Sequence, residues 1–274
     1  MIRTIRILFY ILILTVMCSV MYCSLGPTHA GGAGAGNPAT LAMIADGVDT
    51  TISRDTIPVT LPICDSSCMR IDVNGVFVLV QYASFPVPDD FDSIPEPLYY
   101  DSSAGEMILD GPFLFDVLRG TSAPDIHFHL PNGIYEYIKL HIAHDSGTSV
   151  NDFNELMKGY QILISGKFTY EDTLRNINIF ILSDTTVQFH ALDNGVAVFN
   201  TNFVKLIVGL NEQEWLDSIS IKGPIKKGDV FFDSEGNLTL LDDPSGQGPD
   251  AKLCMRMRSR IYGSGVFRHS HTIR

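Results

Sequence analysis

From residue 71 onward the chain repeats one pattern: short runs of β-branched and aromatic residues, separated by Gly, Pro, Asn and Asp. Residues 71–80 are almost continuously apolar, as a strand buried on both faces requires. In residues 126–130 the alternation is strict, with Ile126, Phe128 and Leu130 on one face and His127 and His129 on the other. Pro131, Asn132 and Gly133 then signal a turn. Residues 134–142 alternate again, which sends Ile134, Ile138, Leu140 and Ile142 inward and Tyr135, Tyr137, Lys139 and His141 outward. This pattern predicts a hairpin over 126–142, with His129 near Tyr135 and His127 near Tyr137.

Further strands are expected at 107–118 (broken by Gly111 and Pro112), 160–170, 176–182, 186–191, 196–199 and 203–210, with a hairpin joining 230–232 to 238–241. Only 152–157 and 211–216 suggest short helices, the second carrying Trp215, the sole tryptophan, as a core plug. No long amphipathic helix alternates with the strands, so βαβ units are not expected. The expected class is all-β, an antiparallel β-sandwich with one or two short helices.

The first 22 residues have a different logic. Arg3 and Arg6 precede an uncharged apolar run over residues 7–22, long enough for a secretory signal and short of the ~20 residues of a spanning helix. Cys23 follows directly and is the candidate lipidation site. Cleavage after Ala30 and an uncleaved anchor are the alternative processing routes; all three place the body outside the cytoplasm. Residues 1–22 are therefore read as a signal peptide, 23–40 as a Gly/Ala-rich tether, 41–250 as the β body, and 251–274 as a basic strand or tail. That last stretch carries Lys252, Arg256, Arg258, Arg260, Arg268 and Arg274 and no acid. The whole chain has a net charge of −12, which argues against a nucleic-acid partner. The expected partners are a membrane, through the lipid or signal anchor, and an envelope protein or glycan.

Residues 111–118 (Gly-Pro-Phe-Leu-Phe-Asp-Val-Leu), then 130–140 with Pro131, Gly133, Tyr135 and Ile138, carry a pattern that resembles a family of uncharacterised bacterial envelope lipoproteins. That family has a G-P-F-x-[LV]-D-L-L … P-x-G-x-Y-x-x-I signature in a domain of unknown function. The strand ending in Gly166 fits the same pattern, and the likeness covers about residues 68–190. It implies an immunoglobulin- or prealbumin-like sandwich and brings no catalytic residues.

Few residues suggest chemistry. The chain has no G-x-S-x-G, H-E-x-x-H or Walker loop, so catalysis is not expected, and no cofactor is implied. Cys64 and Cys68 are close enough in sequence to close a small disulfide loop in an oxidising compartment, leaving Cys254 over. Tyr135 and Tyr137 are candidate sugar-stacking residues on the hairpin's outer face. His127 and His129, with His141, are candidate metal ligands, their alternative being solvent-facing strand positions. Asp229, Asp233, Glu235, Asp242 and Asp243 flank a hairpin without the spacing of a calcium loop.

Overall fold

The computed structural model describes residues 36–46, 60–89, 93–143, 153–192, 194–199 and 203–271. The signal segment, Cys23, His144 and Asp145 lie outside them. The described part is mostly β. In chain order its strands are β1 (Asn37–Ala45), β2 (Leu61–Cys64), β3 (Arg70–Pro86), β4 (Tyr99–Asp101), β5 (Glu106–Asp116), β6 (Thr121–Ala123), β7 (His127–Leu130), β8 (Gly133–Tyr135), β9 (Tyr137–Ile142), β10 (Ile162–Tyr170), β11 (Thr173–Ile181), β12 (Thr185–His190), β13 (Val196–Val198), β14 (Val204–Leu210), β15 (Leu238–Leu241) and β16 (Gly265–His271). The α-helices are α1 (Asn154–Met157), α2 (Lys222–Lys227) and α3 (Pro249–Gly263).

Two main sheets share one apolar core. The smaller has the order β16-β14-β1-β7 and the larger runs β12-β9-β3-β10-β11-β15, with β2 and β5 also on β3. Both are mixed: β1 pairs with β14 in parallel, and β11 with β15 in parallel. The all-antiparallel expectation is corrected by these two pairs, which form because both partners are distant in sequence and reach each other by long crossings.

β3 is the spine of the large sheet. Its 17 residues carry β2 then β5 along one edge, and β10 then β9 along the other. The strand slips register between Val80 and Tyr82. Opposite the slip, Gly111 and Pro112 of β5 fall between the paired residues Asp110 and Phe113. A β-carbon on Gly111 would sit 2.6 Å from the Gln81 carbonyl oxygen, and Pro112 has no N–H to lose, so this dipeptide suits a bulge. The parity of β3 changes there. Val76, Val78 and Val80 enter the main core before the bulge, and Ala83 and Phe85 after it.

The hairpin over 126–142 does not form. β7 pairs with β1, β8 with β13, and β9 with β12 and β3. Glu136 sits as an extra residue between β8 and β9, its carbonyl accepting from the Ala191 N–H. One extra residue reverses every side chain before it. Tyr135 is therefore wholly buried while Ile134 is 51% exposed, the opposite of the alternation read from sequence.

The segment from 251 onward is part helix and part strand, with residues 251–263 forming a helix where a strand or tail was expected. α3 buries Leu253, Cys254, Met257 and Ile261, an i, i+4, i+8 stripe of helical period. β16 then closes the small sheet against β14. The turn between them needs Gly265, because a β-carbon there would lie 2.2 Å from the Phe189 ring. At the other end, Asn37–Thr40 belong to β1 rather than to the tether.

Candidate functional site: the open face of the large sheet

One face of the large sheet enters the shared core, so its alternate residues emerge on the outer face. The bulge at Gln81 divides that face. On one side Leu79, Leu114, Leu163 and Phe180 form a second apolar cluster with Met157 of α1, and Phe77, Phe153 and Tyr160 pack against it. Lys158 lies over the Phe180 ring at 5.3 Å. On the other side the outward residues are polar and aromatic.

Cross-strand register arranges these residues in rows. Asp110 of β5, Tyr82 of β3, His141 of β9 and Thr186 of β12 stand directly opposite one another. The next row is Tyr99, Ile108, Ser84, Lys139 and Gln188. Tyr137 and His190 face each other beyond it.

The rows are tied together by rings and hydrogen bonds. Tyr82 stacks on His141 with centroids 4.7 Å apart, and Tyr137 meets His190 edge-on at 6.4 Å. His141 Nδ1 contacts Thr186 Oγ1 at 3.0 Å, and Tyr99 donates to Asp110 at 3.1 Å. At the start of β5, beyond the second row, lies Glu106, buried, which accepts from Ser84 Oγ at 2.8 Å, from Tyr137 Oη at 3.0 Å and from Lys139 Nζ. Burial raises the Glu106 pKa, but these three donors outweigh it and hold the carboxyl below the usual glutamate range. The same bond raises Lys139, while burial and the Glu106 carboxylate raise Tyr137. Ion pair and phenol thus each keep one charge state at neutral pH, and the Glu106 carboxylate links side chains of β3 and β9.

A cleft of about 680 Å³ opens at the His141 end. Its wall is a hydrogen-bonded set. Gln161 accepts from the Ser183 N–H at 2.7 Å and donates to the Gly159 carbonyl at 2.9 Å. Tyr262 Oη donates to Ser183 Oγ at 2.6 Å. Arg258 donates to the Leu182 carbonyl and lies 3.5 Å from the buried Asp242.

The residues singled out from sequence are distributed unevenly. Tyr137 stands on the platform, half-buried, with His190 against its ring rather than Tyr135. Tyr135 is corrected to a core residue: its hydroxyl donates to the Pro131 carbonyl at 2.9 Å and its ring meets Phe85 edge-on. His127 and His129 are exposed on β7 of the small sheet, whereas His141 belongs to β9 of the large one. No three His, Cys, Asp or Glu side chains among the described residues converge to hold a metal.

Cys64 and Cys68 are exposed free thiols and Cys254 a buried one, so the expected disulfide is not formed in this structure. The turn between the first two is closed by Asp65 instead. Its carboxylate accepts from the Ser67 N–H at 2.8 Å, Ser67 Oγ at 2.6 Å, the Met69 N–H at 2.9 Å and the Ile221 N–H at 2.9 Å. Burial works against the charged form, yet these bonds hold Asp65 below the usual aspartate range. Asp233 caps the 233–237 turn through the Glu235 and Asn237 N–H groups at 2.9 and 2.8 Å.

Sequence reading missed Tyr82, Ser84, Glu106, His190 and Gln188. The available signal was their alternation with buried neighbours; which strands would adjoin was not visible. No family model, no curated protein and no solved structure matches the chain.

Proposed function

We propose that this is an exported, lipid-anchored protein of the cell envelope that binds a glycan without chemical conversion. The observation that supports the binding role is the open half of the large sheet's outer face, where Tyr82, Tyr99, Tyr137, His141 and His190 gather amid hydrogen-bonding side chains. Sugar rings present apolar C–H faces ringed by hydroxyls, and aromatic side chains with flanking polar groups match both. The same reading takes the two sheets around one core as a β-sandwich of the kind the envelope-lipoprotein resemblance implies. The address rests on Arg3, Arg6, the apolar run and Cys23, and stable anchoring there takes more than one acyl chain.

Two measurements test this. Intact mass of the membrane-purified protein should show a chain beginning at an acylated Cys23; an unmodified chain beginning at Gly31 would reject the anchor. Co-sedimentation with isolated envelope polysaccharide should retain the wild-type protein and lose it at least tenfold in a Tyr82→Ala/Tyr137→Ala double variant. Retention unchanged by the double variant would reject the platform.

A further inference from the structure

We infer that the cleft beside His141 seats the terminal residue of the bound glycan, and that it accepts an uncharged or amino-bearing sugar while rejecting a uronic or sialic acid. This deepens the platform reading and rests on it. His141 belongs to both places: it stacks on Tyr82 in the first row and lines the cleft. A chain lying along the rows therefore reaches the cleft without leaving the sheet.

The cleft differs from the platform in kind. Its volume of about 680 Å³ falls within the range of roughly 300–1,000 Å³ common for small-molecule sites. Among the described residues His141 is the only aromatic ring in its lining. The rest combines polar side chains (Gln161, Ser183, Asp184, Arg258) with Ala143, Gly159, Leu182 and Pro244. Such a wall recognises hydroxyls by hydrogen bonds, and its groups are already oriented. Both ends of the Gln161 amide are engaged, and Ser183 Oγ accepts from Tyr262, so these groups are held in fixed orientations.

Charge decides which sugar. Among the described residues of the lining, Arg258 is the only Lys or Arg, and Asp242 offsets it at 3.5 Å. Asp184 stands at the rim with its side chain 91% exposed and His141 Nε2 3.9 Å from its carboxylate. The balance is negative, in a chain of net charge −12. A carboxylate entering here is repelled by the Asp184 carboxylate, whereas a hydroxyl is not and an ammonium group is attracted.

The test is a glycan array carrying matched cores that end in a neutral hexose, a hexosamine, or a uronic or sialic acid, probed with the full-length wild type, Asp184→Arg and Tyr82→Ala. Wild type should favour the neutral or amino-ended member of each pair at least tenfold. Asp184→Arg should shrink that ratio at least fivefold at low salt, and the difference between the two proteins should fade in 1 M salt, as a screened charge effect must. Tyr82→Ala should weaken all members alike and leave the ratio intact. Wild-type binding indifferent to the terminal residue, or a ratio unmoved in Asp184→Arg, overturns the inference while Tyr82→Ala still reports on the platform. Binding of no glycan at all overturns both.

Discussion

The two halves of the large sheet's outer face are made of the same strands and have opposite fates. Along β3, Phe77 and Leu79 lie before the bulge and are covered by α1 and its flanks. Tyr82 and Ser84 lie after it and carry the open rows. The covered half is apolar and its cost of exposure explains why a single helical turn is recruited to it. In the open half the buried Glu106 carboxylate already has three donors among the described residues. Among the described residues that half is covered by no apolar packing and is tied together by polar side chains, which is the contrast on which the proposed binding role rests.

If that division is real, stability and binding should separate across the bulge. The largest effect is expected in the covered half. Leu79 is 4% exposed, and Leu79→Ala should cost about 3 kcal/mol, as lost transfer energy plus a residual cavity. The urea midpoint measures it. Glycan retention of the folded variant should equal that of wild type; parallel loss of stability and binding would erase the distinction between the halves.

The Glu106–Lys139 pair gives a smaller effect with a pH signature. Glu106 titrates below its unfolded value of about 4.3, so its contribution is present above that pH and is lost as pH falls through the folded value. Lys139 is raised, so its contribution is present below its unfolded value of about 10.4 and is lost as pH rises through the folded value. Glu106→Gln should therefore cost about 1–2 kcal/mol at pH 7, discounted from a fully buried pair because Lys139 reaches solvent. The gap between variant and wild type should narrow at pH 3.5. Denaturant titrations at both pH values measure it, and a pH-independent gap would mean that Glu106 acts by packing rather than by charge.

This division was only half legible in the sequence. Local patterns carried the strands: the apolar run in β3, the alternation of β7 and the segments that became β10 to β14 all formed where their periodicity placed them. Pairing was not local. The 126–142 hairpin failed although its turn residues are good ones, because β7 found a better partner in β1 across the small sheet. The failure left one trace. Unbroken alternation from Ile134 would have sent Glu136 into the core, a charge without a partner, and that conflict marks the residue where the strand slips. Likewise Cys254, Arg256, Arg258 and Arg260 read as one face of a strand, while Leu253, Met257 and Ile261 read as one stripe of a helix. Pro249 at the first helical position decides between them. Tyr82, Glu106 and His190 lie far apart in the chain, and nothing short of the β5-β3-β9-β12 order brings them together.

The smallest stability effect is expected at the platform's far edge, and it tests the division most sharply. Gln188 and His190 are exposed on β12, joined to each other at 3.1 Å, and His190 meets the Tyr137 ring. Neither supports buried apolar area, so a Gln188→Ala/His190→Ala double variant should keep its unfolding free energy within about 0.5 kcal/mol of wild type. If the rows bind a glycan along their length, the same variant should still lose retention severalfold, by removing one edge of the surface on which the sugar lies. Loss of binding without loss of stability would assign this edge to recognition. Wild-type retention in the double variant would confine the contact to the Tyr82, His141 and Lys139 rows, closer to the cleft.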